Sequence, residues 1–155
     1  MPLPDDPAAF VAAAERGINE RDLEGTAGVY APGARLVSIT DGAREEHVGH
    51  AAVHTAWRGY LGAMGDRDFR LSKRLISADG DTIVNEWTGT LGGRTEAEGL
   101  EYWRFDDQGK VREHRMLSFM NVKPSTHPLQ RLRMAMAYPM TALAFLREQR
   151  RAARG

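Results

Sequence analysis

Apolar side chains recur at three- and four-residue spacing in two stretches of the first part of the chain, a pattern typical of amphipathic helices. Residues 7–20 form the first predicted helix, and residues 50–64 form another. A short helix lies between them; Asp22 caps it, and it ends near Tyr30. The sequence therefore predicts three N-terminal helices.

Beyond Arg67 the spacing of apolar positions changes to two, which predicts strands joined by turns that contain Gly and Asp. The charged stretch 43–49 is predicted to be a loop. Helices followed by hairpin-linked strands are typical of an α+β domain with a curved antiparallel sheet. We predict strands at residues 34–40, 68–78, 82–91, 95–106 and 110–122.

The C-terminal stretch differs from the rest of the chain in charge. Residues 123–155 carry seven Lys or Arg and one acidic residue, a net charge of +6, whereas residues 1–122 carry fourteen and twenty, a net charge of −6. Apolar residues recur there at helical spacing, with an interruption at Pro139. We therefore expect an α+β domain over 1–122 and a basic amphipathic helical extension over 123–155.

Three roles for this extension fit its sequence. It packs on the acidic body of its own subunit or of a dimer partner, it lies on an anionic membrane surface as an amphipathic helix, or it is a mobile basic tail. The opposite charges of the two regions favour the first role, although physiological salt screens long-range attraction within about 8–10 Å.

The last predicted hairpin holds the main candidates for chemistry. Folding back about the turn at residues 106–109 brings Glu101 beside His114. If both side chains face inward, a carboxylate and an imidazole meet in an apolar surround and can exchange a proton with a substrate. Glu86 is a further candidate carboxylate, whose direction is open because both faces of its strand carry an apolar residue.

Composition excludes several other kinds of site. A net charge of zero gives no global field for nucleic acid, and the absence of cysteine excludes disulfides, thiol nucleophiles and thiolate metal sites. His50 and His54 share a helix face, but no third ligand has the spacing of a metal motif, so we expect no metal. No apolar run has the length of a membrane span and no signal-peptide pattern is present, so a cytoplasmic domain is the expectation.

Four local strings point to a known fold: Ile18-Asn19-Glu20-Arg21-Asp22-Leu23-Glu24-Gly25, Tyr30-Ala31-Pro32-Gly33-Ala34, the Gly49 before the third helix, and Tyr102-Trp103-Arg104-Phe105-Asp106-Asp107-Gln108-Gly109-Lys110-Val111. They resemble the nuclear transport factor 2-like superfamily, which includes ketosteroid isomerase, limonene epoxide hydrolase and the SnoaL-like polyketide cyclases. The resemblance covers about residues 8–122. It implies an α+β cone in which three helices cover a curved antiparallel sheet around an apolar pocket, and it implies a homodimer.

The same resemblance implies roles for individual residues. The proton-shuttling carboxylate of ketosteroid isomerase aligns with Ser38, and the catalytic aspartate of the cyclases aligns with Phe119, so both carboxylates are replaced. The buried acid of the isomerase aligns with Glu101, whose pKa burial would raise, and His114 aligns with a pocket-lining position. The residues expected to line the pocket are Tyr30, Ser38, Trp57, Tyr60, Trp103, Met116, Ser118 and Phe119.

The main hypothesis is an enzyme without a cofactor that transfers a proton on a small terpenoid, steroid or polyketide-like substrate, as an isomerase, cyclase or dehydratase. Glu101 would be the acid or oxyanion donor and His114 the base, with Glu86 as a reserve carboxylate. One alternative is a non-catalytic ligand-binding or dimerisation module on the same fold. Another is a protein that docks on a membrane surface or a partner through its tail. No nucleic-acid partner is expected.

Overall fold

The structure, a computed structural model, describes residues 3–123 and 128–152. The chain forms two compact units, divided after Val122. Each unit has its own internal contacts, and each is described by itself below. Among the described residues, no helix is long and apolar enough to cross a lipid bilayer.

Three helices belong to the first unit, as the sequence predicts, and two of them begin at an aspartate cap. The Asp6 carboxylate accepts a hydrogen bond from the Ala9 amide, and the Asp22 carboxylate accepts one from the Gly25 amide. Arg21 ends the first helix in the left-handed conformation, with φ of 61°. The helices are α1 (Pro7–Glu20), α2 (Leu23–Ala27) and α3 (His50–Asp66).

Six strands form one curved sheet in the first unit, in the spatial order β2-β1-β6-β5-β4-β3. Strands β1 and β6 pair in parallel, and every other neighbouring pair is antiparallel. The predicted α+β fold class is therefore confirmed. The strands are β1 (Tyr30–Thr40), β2 (Ala43–Val48), β3 (Phe69–Asp79), β4 (Thr82–Leu91), β5 (Thr95–Phe105) and β6 (Val111–Phe119).

Strand β2 corrects the prediction of a loop over residues 43–49. It pairs with β1 through a tight turn at Asp41-Gly42, where both residues have positive φ. It is an edge strand, and three of its six residues are charged, Arg44, Glu45 and Glu46; charged side chains on an edge oppose pairing with another chain. A sequence pattern based on apolar alternation misses such a strand.

The core of the first unit lies between the inner face of the sheet and the helices. Large aromatic side chains fill it, and two of them, Trp57 from α3 and Phe69 from β3, are each 1% exposed. The strands contribute alternate residues to this face, as the period of two requires. The aromatic and aliphatic cluster includes Val11, Ile18, Leu36, Val53, Trp57, Phe69, Ile83, Trp87, Trp103, Phe105 and Val111.

The second unit contains two helices, α4 (Pro128–Ala137) and α5 (Pro139–Ala152). The break between them coincides with Pro139, because a proline ring cannot continue the preceding helix but is tolerated at the first position of a new one. Most of the large apolar side chains described in this unit are exposed. They are Leu129, Leu132, Met136, Tyr138, Met140, Leu143 and Leu146.

Candidate functional site

A cavity of about 290 Å³ lies on the inner face of the sheet in the first unit. Its wall is mostly apolar and aromatic, as in pockets that bind small hydrophobic ligands. The polar groups on the wall are few: three short hydroxyl side chains, Tyr60 and two carboxylates. The lining residues are Ile18, Ser38, Thr40, Ala43, Glu45, Trp57, Tyr60, Ala63, Met64, Phe69, Leu71, Trp87, Glu101, Met116, Ser118 and Met120.

The two carboxylates of the wall lie in different surroundings. The side chain of Glu45 is 59% exposed and accepts a hydrogen bond from the Tyr60 hydroxyl at 2.8 Å. Burial, followed by the hydrogen bond and charge of Glu45, raises the pKa of Tyr60 to about 12. Glu101, by contrast, has a side chain that is only 2% exposed. Glu101 is therefore the carboxylate at the closed part of the cavity.

A buried cation holds the Glu101 carboxylate. Lys73 Nζ lies 2.5 Å from Glu101 Oε2, and the Lys73 side chain is completely buried. Asn85 Nδ2 approaches the same oxygen at 3.4 Å. The Asn85 amide is oriented by Trp103, whose indole Nε1–H donates to Asn85 Oδ1 at 2.7 Å. Lys73 and Asn85 therefore support Glu101 without belonging to the cavity wall.

The charge state of Glu101 follows from these contacts. Burial alone would raise its pKa, but the Lys73 charge and the contact with His114 outweigh burial and lower the pKa to about 2. The expectation that burial raises the pKa of Glu101 is therefore wrong, because it does not include the charge of Lys73. At neutral pH the residue is a carboxylate, which accepts hydrogen bonds and donates none.

His114 lies behind Glu101, fully buried, and does not line the cavity. Its ring stacks on Trp103, with the ring centroids 3.4 Å apart and the planes 14° apart. The hydroxyl oxygen of Tyr30 lies 2.6 Å from His114 Nδ1. Trp57 Nε1 donates to the same hydroxyl at 2.9 Å.

Two contacts favour one tautomer of His114. The Glu101 carboxylate only accepts hydrogen bonds and faces Nε2, so it favours the proton on that nitrogen. Nδ1 then accepts from the Tyr30 hydroxyl, whose oxygen accepts from Trp57. The proton of the neutral ring is then on Nε2, which lies 3.5 Å from Glu101 Oε2. Nε2 makes no hydrogen bond within the described part of the chain.

The hydrogen-bonded rings of His114 and Tyr30 are both neutral at pH 7. Burial lowers the pKa of His114, against the raising effect of Glu101. Burial likewise raises the pKa of Tyr30 well above its ordinary value, although the Trp57 hydrogen bond lowers it. His114 is not on the cavity wall, and in the favoured tautomer Nδ1 accepts from Tyr30, which argues against the predicted role of His114 as a base.

Comparison with known proteins identifies the family. The family model of the SnoaL-like domain matches residues 10–114. The chain belongs to the SnoaL-like domain family. The resemblance to the nuclear transport factor 2-like superfamily is thereby confirmed.

Solved structures share the fold of this SnoaL-like chain. A steroid Δ-isomerase from Pseudomonas aeruginosa is 26% identical with a TM-score of 0.54, and the match covers 93% of this chain and 98% of that one. A SnoaL-like protein of unknown function from Burkholderia thailandensis is 22% identical, with a TM-score of 0.56 and coverages of 74% and 96%. An epoxide hydrolase/cyclase-like enzyme of pyran ring formation in salinomycin is 17% identical, with a TM-score of 0.57 and coverages of 76% and 94%. A comparison with curated proteins gives no significant match.

Five of the residues expected to line the pocket of this SnoaL-like domain do lie on the cavity wall: Ser38, Trp57, Tyr60, Met116 and Ser118. Tyr30 and Trp103 do not. Tyr30 is hydrogen-bonded to His114 behind the wall, and Trp103 lines a separate cavity of about 220 Å³ beside α1. Each ring instead makes a hydrogen bond to a residue that contacts Glu101, Tyr30 to His114 and Trp103 to Asn85.

Glu86 and Phe119 are also misplaced by the prediction. Strand β4 buries Ile83, Asn85 and Trp87, so Glu86 lies on the opposite face. There its carboxylate pairs with Arg74 at 2.6 Å, and the Glu86 side chain is 41% exposed. Phe119 is 56% exposed, while its neighbour Ser118 lines the cavity. Neither residue therefore belongs to the candidate site.

Lys73 and Asn85 are the residues that the sequence prediction missed. Alternation along β3 could have identified Lys73. Residues 69, 71 and 73 lie on the same face of the strand, and Phe69 and Leu71 point inward. For Asn85 the signal was its position between Ile83 and Trp87 in β4. A lysine and an asparagine in these places contradict the usual composition of a core, and only a partner such as Glu101 makes them stable.

The histidines considered for metal binding have other contacts. His50 and His54 stack on α3, with ring centroids 6.4 Å apart, and His54 Nε2 lies 3.1 Å from Glu24 Oε1. His47 Nε2 lies 3.4 Å from the Tyr60 hydroxyl. Within residues 3–123 and 128–152, no cluster of three or more His, Asp or Glu is placed to hold a metal ion.

Proposed function

We propose that the protein is a cofactor-independent enzyme of the isomerase, cyclase or dehydratase kind, which transfers a proton on a small hydrophobic substrate such as a terpenoid, steroid or polyketide. Glu101 is the residue that accepts the proton. One observation carries this proposal: a buried, ionised carboxylate lines an apolar, aromatic cavity that is otherwise suited to a hydrophobic ligand.

The low pKa of Glu101 limits the chemistry that it can perform. A carboxylate with a pKa of about 2 is a weak base and does not remove a proton from an inert carbon. It is well matched to a substrate proton that becomes acidic in the transition state, such as that of a hydroxyl whose oxygen is forming a bond to carbon. As the oxygen bonds to carbon, its proton passes to Glu101, and the π bond or carbon–oxygen bond that breaks at that carbon leaves its electron pair on the neighbouring substrate atom. Glu101 then returns the proton to that atom.

The residues behind Glu101 position it. Lys73 keeps the carboxylate ionised before the reaction, and Asn85 fixes the direction of Oε2. The Nε2–H of His114 faces the same oxygen and stabilises negative charge there. Because His114 does not line the cavity, its role is to orient Glu101 and not to contact the substrate.

A substrate screen with two variants tests the proposal. Wild-type protein is incubated with panels of terpenoid, steroid and polyketide-like compounds, and products are separated by chromatography and mass spectrometry. For any compound turned over, Glu101→Gln is expected to lower kcat/KM by about 10²–10⁴-fold, the usual contribution of a positioned general base. Glu98→Gln, an exposed change on the same strand, is the control and keeps full activity. Turnover that survives Glu101→Gln excludes Glu101 as the proton acceptor.

A non-catalytic ligand-binding module is the second candidate. It is favoured by the compensation of the Glu101 charge, since Lys73 already neutralises the carboxylate in the absence of a substrate. The residues that align with the family's catalytic carboxylates, Ser38 and Phe119, also carry no acid. Saturable binding of apolar ligands with no turnover in the screen would support this candidate over the enzyme.

Docking through the C-terminal unit is a third candidate. The exposed apolar side chains of α4 and α5 lie in a stretch with a net charge of +6, which suits either the acidic surface of another protein or an anionic membrane. Binding to vesicles of anionic lipid tests the membrane, and the oligomeric state in solution tests a second copy of this chain. Binding to them that is lost on truncation after Val122 would support the membrane, and a change from dimer to monomer would support a second copy of this chain.

A further inference from the structure

We infer that the ligand of this cavity presents a hydrogen-bond donor, a hydroxyl or an amine, to Glu101, and that Lys73 imposes this preference. This inference rests on the proposed function, in which Glu101 meets the substrate, and it adds the chemical class of the group that is recognised. It also adds Lys73 as the residue that determines specificity from outside the cavity.

The contacts of the carboxylate leave one oxygen for the ligand. Lys73 Nζ, Asn85 Nδ2 and His114 Nε2 all approach Oε2, at 2.5, 3.4 and 3.5 Å. Oε1 accepts no hydrogen bond from the described residues and is not among their fully enclosed polar atoms. Because Glu101 lines the cavity, we take Oε1 as the oxygen with free acceptor capacity for a ligand there. A ligand group that reaches it must supply the proton of the hydrogen bond.

The cation does not compete for the ligand. The Lys73 side chain is fully buried, its Nζ lies 5.5 Å from the Trp103 ring centroid, and the residue is absent from the cavity wall. A ligand therefore meets the anion of the ion pair and not its cation. A ketone placed at Oε1 would bring two acceptors together in an apolar surround, which leaves both without a hydrogen bond.

The other polar groups of the wall do not impose the same choice. The Glu45 carboxylate already accepts from the Tyr60 hydroxyl at 2.8 Å, and because its side chain is 59% exposed, water competes with a ligand there. Ser38, Thr40 and Ser118 carry hydroxyls, which rotate and can donate or accept. Ser38 and Thr40 lie close enough to bond to each other, with their oxygens 3.3 Å apart. The preference for a donor is therefore set at Glu101.

Removal of Lys73 should abolish the preference for a donor. In Lys73→Met the carboxyl of Glu101 stays buried but loses its cation, so burial determines its charge and favours the protonated form. A protonated carboxyl group can donate a hydrogen bond, and it then accepts a ketone as readily as an alcohol. The variant thus changes specificity without altering any residue of the cavity wall.

The test compares two ligands with one carbon skeleton, 2-decalol and 2-decalone, by isothermal titration calorimetry at pH 7. Wild-type protein is expected to bind the alcohol at least about tenfold more tightly, the effect of one hydrogen bond to a charged group. Lys73→Met is expected to lower this ratio about tenfold, and Glu101→Gln, which can donate and accept, to bring it near one. Arg74→Met removes an exposed ion pair on the same strand and should keep the wild-type ratio.

Several outcomes would overturn the inference. Equal affinity of wild-type protein for both ligands, a preference for decalone, or no binding of either ligand contradicts it without any variant. An unchanged ratio in folded Lys73→Met excludes the role of Lys73, and if that variant does not fold, the Glu101→Gln ratio decides. The readout is binding alone, so absence of turnover would end the proposed enzyme while leaving this preference intact.

Discussion

Single residues in this protein take their properties from distant parts of the chain. The charge of Glu101 on β5 depends on Lys73, which lies on β3, with strand β4 between them. Two charges buried together are costly to desolvate, and the pair is stable only because Asn85 and His114 complete its surroundings. An apolar pair of similar size would fill the same space without this desolvation cost, so the buried ion pair favours a role for Glu101 at the cavity.

The pH dependence of activity follows from the charge of Glu101. Proton acceptance needs the ionised carboxylate, which is present above its pKa and lost as the pH falls through about 2. We therefore expect kcat/KM to show no acidic limb from Glu101 between pH 4 and pH 8. Measurement of initial rates across this range checks the prediction, and an acidic limb near pH 6 that disappears in Glu101→Gln would contradict it.

Tyr30 links the buried rings to each other, and its loss should be costly. In Tyr30→Phe the hydroxyl disappears, so Trp57 Nε1 and His114 Nδ1 both lose a partner in the core. We expect the free energy of unfolding to fall by about 2–4 kcal/mol, the cost of leaving two buried polar groups unsatisfied. Urea denaturation measures it, with Tyr102→Phe on the partly exposed face as the control. Equal small losses in both variants would contradict the hydrogen-bonded chain.

At the scale of elements, alternation predicts a strand but not always which face is inward. Helices α1 and α3 and strands β3 to β6 follow from apolar spacing, because each buries one face only. Apolar alternation did not predict β2, because this edge strand carries charged side chains. It did not predict the direction of Glu86 either, because β4 has apolar residues on both faces. The ion pair of Lys73 and Glu101 joins two strands through the register of the sheet, which a single sequence does not specify.

Gly99 permits the close packing of β5 against Trp87. A Cβ atom at this position would lie 2.5 Å from the Trp87 ring and 2.4 Å from the Leu117 carbonyl oxygen. We expect Gly99→Ala to displace Trp87, which lines the cavity, and to cost about 1–3 kcal/mol of stability through overpacking. Because Trp87 lines the cavity, the affinity of Gly99→Ala for a ligand should also fall.

Thermal unfolding and decalol titration check the effect of Gly99→Ala. The matched control is Gly62→Ala on α3, where an added Cβ meets nothing within 4 Å. Alanine should raise helix stability there by up to about 1 kcal/mol. A Gly99→Ala protein with wild-type stability and affinity would show that Trp87 is not held as described.

At the scale of the whole molecule, the candidate site belongs to the first unit. The cavity, Glu101 and its supporting residues all lie before Val122, within one compact unit. The extension contributes positive charge and exposed apolar surface, which suit a second copy of this chain, another protein or an anionic membrane.

Truncation after Val122 should leave the first unit folded. Its core of aromatic and aliphatic side chains is contained within residues 11–116, so we expect cooperative unfolding with a Tm close to that of the full chain. The truncated protein should also keep the decalol preference. Loss of cooperative unfolding, measured by calorimetry, would mean that the extension is part of the folding unit.

The charge of Glu101 is tested most directly by carbon-13 NMR titration of its side-chain carboxyl group. Titration of wild-type protein and of Lys73→Met from pH 3 to pH 8 separates the effect of the ion pair from that of burial. A wild-type carboxyl that stays ionised over this range, and a Lys73→Met carboxyl whose pKa rises, are the predicted results. A wild-type carboxyl that titrates near neutrality would contradict both the proposed proton acceptor and the preference for a donor ligand.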